Sequence, residues 1–174
     1  GTPSGIDNTA VAYGAPIWFV RGQPPQVFAP AAPFSLVIAD SGIHSPTKET
    51  VGDVRAAWQA QPARYEALFD AVAALVHAAR RALAAGDLTT LGLLMDENQA
   101  ILEQLGVSSG PLERLVEAAR GAGALGAKLS GGGRGGNVTS LVAPDGAAAV
   151  ERALLAAGAV RVIVTTVEGE SRSL

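Results

Sequence analysis

The segment Ser130-Gly131-Gly132-Gly133-Arg134-Gly135-Gly136-Asn137 places five glycines in six consecutive positions. A backbone so free of β-carbons takes up positive φ readily and turns several N–H groups toward one anion, which is the chemistry of a phosphate cradle. Lys128 and Arg134 add positive charge beside it and Ser130 adds a hydroxyl, so charge-assisted bonds are available to the same anion. The other reading is a flexible hairpin between two strands, because the spacing is neither a Walker loop nor a dinucleotide fingerprint. Asp7, in Thr2-Pro3-Ser4-Gly5-Ile6-Asp7-Asn8, is a second candidate. A carboxylate on a turn ahead of a short helix orients or deprotonates a substrate hydroxyl. Equally, Ser4-x-x-Asp7 fits a capping arrangement that only satisfies the start of a helix running to Tyr13.

Two further polar residues stand where chemistry is open to them. Thr47 falls at a helix start, where it either caps the helix or helps an exposed N-terminus hold an anion. Asn98 interrupts the apolar stripe Leu91, Leu94, Met95, Ile101, Leu102 and Leu105. A buried amide without partners costs about 1–3 kcal/mol, so it bonds to backbone or faces a wet site. His44 and His77 share no ligand spacing and read as structural or solvated. Trp18 and Trp58 read as core, since no basic track accompanies them.

The elements that position these residues follow from punctuation and periodicity. Ala15–Val20 and Gln26–Phe28 form a hairpin around a Gly- and Pro-rich turn. Pro30 and Pro33 mark a boundary, so residues 1–33 form one unit and a second, 34–174, opens on a strand over Phe34–Ala39. Ser45-Pro46 starts a helix over Thr47–Trp58, and Pro62 starts a long one ending at Gly86. In that long helix Tyr65, Leu68, Phe69, Val72, Leu75, Val76, Ala79 and Leu83 have amphipathic spacing. A third helix runs from near Asp87 to Gly106, and a fourth opens at Pro111 with Leu112, Leu115, Val116 and Ala119 inward. Strands at Ala127–Leu129, Val138–Val142 and Val160–Val167 follow, with a helix capped by Asp145 between the last two. The sum is an α+β domain whose helices cover a mostly antiparallel sheet.

Composition narrows the function classes. With 174 residues, 48% of them hydrophobic, the chain has material for a sizeable core. Net charge is −3 and no basic run lines a phosphate backbone, which argues against a nucleic-acid partner. The absence of cysteine removes disulfides, thiolate nucleophiles and cysteine zinc sites, and fits a reducing, cytoplasmic setting. The apolar stretches are broken by Arg or Glu before the ~20 residues a membrane span needs. Opening at Gly1 inside what reads as a functional loop, the sequence is expected to be a fragment.

Pro3-Ser4-Gly5-Ile6-Asp7-Asn8 and Ala127-Lys128-Leu129-Ser130-Gly131-Gly132-Gly133-Arg134-Gly135-Gly136 resemble the second and third motifs of the GHMP kinase superfamily. Asp96-Glu97-Asn98-Gln99, Leu105-Gly106-Val107-Ser108 and His44-Ser45-Pro46-Thr47-Lys48 are similar to segments of its mevalonate kinase branch. The resemblance implies a ferredoxin-like C-terminal domain preceded by a remnant of the N-terminal domain. It implies ATP and Mg2+ as cofactors and mevalonate as the small-molecule substrate. Asp7 would be the catalytic carboxylate, with Thr47, Ser4 and Gly5 near substrate. Ser130, Gly131, Gly132, Gly133, Arg134, Gly135 and Gly136 would shape the phosphate region.

The family's first motif, its N-terminal lysine and its magnesium-holding Ser and Glu do not occur here. The missing N-terminal half is therefore an expected partner, the fragment alone is expected to be inactive, and no metal ligand is assigned to this chain. Dimers are common among such kinases. The sequence leaves open a phosphomevalonate, sugar or homoserine kinase, a non-catalytic ligand-binding or regulatory module, and a mainly oligomeric role.

Overall fold

The structure, a computed structural model, describes residues 5–143 and 145–169. A short helix α1 (Ile6–Tyr13) precedes a two-stranded hairpin, β1 (Ile17–Trp18) and β2 (Gln26–Val27). Then come β3 (Phe34–Asp40), α2 (Thr47–Ala60), α3 (Pro62–Ala85), α4 (Leu88–Gln104), α5 (Gly110–Gly121), β4 (Gly126–Ser130), β5 (Asn137–Val142), α6 (Ala147–Ala156) and β6 (Arg161–Val167). The last four strands form one sheet in the order β4-β5-β3-β6, with every pair antiparallel. Among the described residues, no helix is long and apolar enough to cross a membrane.

Strand alternation sorts the sheet into two faces. The register sets Val37 opposite Ser140 and Ala39 opposite Val138, so these residues point to one side together with Ala127 and Leu129. That side is covered by α5 and α6. In α5 the spacing of Leu112, Leu115, Val116 and Ala119 puts all four on one stripe, and all four are buried. Val150 and Leu154 complete the layer from α6. Each fully buried Leu or Val here contributes about 1.5–3 kcal/mol.

A smaller cluster on the opposite face joins Leu141, Leu36 and Phe34 to Ala82, Leu91 and Met95 of the α3–α4 pair. The α3 stripe is only partly covered: Tyr65 is its buried residue, while Phe69 and Val76 are 39% and 47% exposed. Trp58, expected in the core, is 38% exposed and meets Phe69 edge-on. Trp18, half-buried in the hairpin, meets both His77 and the Arg80 guanidinium of α3.

Two helix starts differ from the sequence reading. Pro46, not Ser45, flanks α2, and its carbonyl accepts from Glu49 N–H at 2.9 Å. Proline fits there because its missing N–H is not needed at that position. Gly146, not Asp145, flanks α6, and no side chain caps that helix.

Candidate active site

A cavity of about 570 Å³ opens where four stretches of chain converge. Ile6 reaches it from the first turn of α1, Thr47 and Val51 from the first turns of α2, Leu105 from the end of α4, and Gly131 and Gly132 from the loop between β4 and β5. Gly5, at φ +83°, flanks α1, and Thr9 returns its N–H and hydroxyl to the Gly5 carbonyl at 3.1 and 2.6 Å. Asp7 follows Ile6 in the same first turn. Ser4 and the side chain of Asp7 lie outside the described residues.

The glycine loop is wedged rather than loose. Gly131, Gly133 and Gly136 have φ of +110°, +86° and +84°, conformations that favour glycine. Gly132, Gly133 and Gly135 touch their surroundings so closely that a β-carbon would collide with Thr47, the Val107 carbonyl and the Ile43 carbonyl respectively. Arg134 N–H donates to Val107 O at 2.7 Å, Gly136 N–H to Ile43 O at 2.9 Å, and Ser41 N–H to Gly136 O at 2.9 Å. The loop thus rests on the turn after α4 on one side and on the segment after β3 on the other. Among the described residues, no acceptor engages the N–H groups of Gly131, Gly132 or Gly133. Two of these three glycines line the cavity, with the Thr47 hydroxyl beside Gly132. Free N–H groups on a preformed left-handed backbone suit an anion.

The structure separates the remaining candidates. Arg134 holds positive φ, +59°, and its guanidinium pairs with Asp53 of α2 while Nε donates to Gly106 O at 3.3 Å. Its head group therefore fastens the loop to α2 and does not line the cavity. Ser130 is exposed at the end of β4. Lys128 points to the opposite side of β4 from Leu129, into a second, apolar cavity of about 240 Å³ that it shares with Asn98, Leu94 and Met95. Its ammonium donates to Leu129 O at 2.6 Å, and burial pushes its pKa below the usual lysine value. Asn98 and Lys128 thus line one cavity, away from the one that Thr47 and the glycines share.

Sequence reasoning passed over the two residues that hold β4 in place. β4 is an edge strand, and such an edge exposes unpaired backbone groups. Here Ala127 N–H donates to Asp96 Oδ1 at 2.9 Å and Leu129 N–H to Gln99 Oε1 at 2.8 Å. Arg120 of α5 bridges the same Asp96 oxygen at 2.8 Å and the Ala127 carbonyl at 3.0 Å. Gly92, one turn before Asp96, lets α4 approach so closely that a β-carbon there would strike Leu125, and one on Gly126 would strike Gly92. Gly92, Asp96 and Gln99 form a single face of α4 by their spacing. A glycine followed at +4 and +7 by polar residues was the signal available.

Residues 79–160 match the family described as GHMP kinases C terminal, and this part of the chain is such a domain. Its relatives include mevalonate kinases: that of Pyrococcus horikoshii is 37% identical over 171 residues, 94% of this chain and 49% of that protein. The Aeropyrum pernix mevalonate kinase is 37% identical over 142 residues, 81% of this chain and 44% of that protein. The crystal structure of L. major mevalonate kinase in complex with R-mevalonate superposes with a TM-score of 0.92 at 38% identity, covering 98% of this chain and 54% of that one. The chain spans about half the length of the relatives it matches.

Proposed function

We propose that the chain is the C-terminal part of an ATP-dependent mevalonate kinase, which transfers the γ-phosphoryl group of ATP to the primary hydroxyl of mevalonate. The observation that carries this reading is the single cavity shared by the first turn of α1, Thr47, and Gly131 and Gly132. In this reading Asp7, next to the cavity-lining Ile6, orients the acceptor hydroxyl and takes its proton. Thr47 contacts the acceptor, and the free N–H groups of Gly131–Gly133 bind phosphate oxygens. ATP supplies the phosphoryl group, and the protein supplies positioning and neutralisation of charge, the main contributions in this reaction class. Magnesium, when bound, would add to the neutralisation of phosphate charge, and no residue of this chain is assigned to hold it. The remaining half of the enzyme completes the site, and the 174-residue chain alone is inactive.

The test is mevalonate-dependent ATP consumption by the full-length protein, with phosphomevalonate, galactose and homoserine as rival acceptors. Preference for mevalonate and a loss of at least about 100-fold in Asp7→Asn support the reading, since general-base groups contribute about 10²–10⁴-fold. An unchanged rate in Asp7→Asn refutes it and favours a ligand-binding module. Turnover by the 174-residue chain alone refutes the half-site claim.

A further inference from the structure

Gln99 is fully buried and makes three hydrogen bonds. Its Oε1 accepts from Leu129 N–H at 2.8 Å, while Nε2 donates to Glu103 Oε1 at 3.0 Å and Ser108 Oγ at 3.2 Å. These partners belong to two different supports of the glycine loop. Leu129 lies two residues before Gly131, on the strand that feeds the loop. Ser108 adjoins Val107, whose carbonyl accepts from Arg134 N–H at 2.7 Å and against which Gly133 is wedged. The turn carrying Val107 has little other attachment to the loop than this carbonyl and the Gly106 carbonyl that receives Arg134 Nε.

We propose that Gln99 is a positioning residue for the phosphate-binding loop: one buried amide sets the spacing between the strand entering the loop and the turn on which its apex rests. This rests on the kinase reading above, in which that loop receives the phosphates of ATP. The amide does not touch the cavity and is absent from its lining. Its effect is on where the free N–H groups of Gly131–Gly133 point, and such alignment has to hold to within about 0.5 Å. Gln99 therefore governs affinity for the nucleotide and leaves the acceptor's contacts, on α1 and α2, as they are.

The experiment compares ATP and mevalonate affinities by calorimetry on the full-length protein, at a temperature where every variant is folded by circular dichroism. Gln99→Met keeps the volume and removes all three bonds, and it is expected to weaken ATP binding at least 10-fold while mevalonate binding stays within twofold. The double swap Gln99→Glu with Glu103→Gln restores an acceptor for Leu129, a partner for Ser108 and the link to position 103. It is expected to return ATP affinity to within threefold of wild type. Unchanged ATP affinity in Gln99→Met, equal weakening of both ligands, or a swap as poor as Gln99→Met overturns the proposal. Should Gln99→Met not fold, Ser108→Ala cuts only the link to the turn and is expected to weaken ATP binding about threefold, with no change refuting the idea. ATP binding without mevalonate turnover overturns the acceptor assignment alone. Failure of the wild type to bind ATP overturns both.

Discussion

Replacing Gly133 by alanine tests whether the glycine loop is wedged or merely flexible. At φ +86° an alanine incurs about 1–2 kcal/mol of backbone strain. Its β-carbon also enters the space of the Val107 carbonyl, a backbone atom that has no rotamer to escape into. Forcing that contact apart costs about 1–3 kcal/mol more by analogy with overpacked cores. It also loosens the 2.7 Å bond from Arg134 N–H to the same oxygen. The sum is about 2–5 kcal/mol. Gly131 is the internal control: its φ is +110°, yet a β-carbon there meets nothing within 4 Å, so Gly131→Ala carries the strain without the collision. The assay is urea denaturation of the full-length protein. With a slope of about 1–3 kcal/mol/M, the collision cost of about 1–3 kcal/mol should separate the two variants by about 0.3–3 M in midpoint, Gly133→Ala being the less stable. Equal midpoints would refute the wedge and return the loop to the flexible-hairpin reading.

Asp96→Ala leaves Ala127 N–H without an acceptor and Arg120 without its counter-charge, so a loss of about 2–4 kcal/mol is expected from denaturation. Arg134→Gly removes both a strained φ and an exposed ion pair worth about 0–1 kcal/mol, so stability should move by less than about 1 kcal/mol and ATP binding should persist. Lys128→Met should stabilise the protein at neutral pH, because an ammonium half-buried among Leu94, Met95 and Leu91 is replaced by an apolar chain. The pKa of Lys128 is lowered in the folded protein, so its burial penalty is fully present below that lowered value. As pH rises from there toward 10.5, the unfolded chain holds the extra proton and wild-type stability climbs. The gap between Lys128→Met and wild type should narrow over that interval in thermal melts, and a constant gap would contradict the assignment.

Much of this arrangement was legible in the residues. Proline and glycine punctuation located the helix from Pro62 to Gly86 and the strand at Phe34, because those residues act through local backbone geometry. The stripe of α5 was equally plain, since its four apolar positions all meet one sheet face. The long stripe of α3 misled in one respect. Periodicity reveals which face is apolar but not whether anything covers it, and Phe69 and Val76 remain open. Asn98 stood out for its apolar neighbours, whereas the fully buried amide is the adjacent Gln99. Adjacent residues point about 100° apart on a helix, so the choice depended on which side β4 occupies, a tertiary fact. Arg134 illustrates the same limit: charge beside a glycine loop suggests a phosphate, but Asp53, 81 positions away, claims the guanidinium.

The tightness of the loop has a thermodynamic consequence for any anion that binds it. Fixing a residue's backbone removes about 1–2 kcal/mol of conformational freedom, and glycine loses the most. A slack chain of five glycines would have to surrender that freedom at each encounter with a ligand, and its affinity would be reduced accordingly. Here Val107, Ile43 and Thr47 impose the ordering when the chain folds. The entropy is therefore charged once, against the stability of the domain, and ligand exchange at Gly131 and Gly132 proceeds on a surface already set.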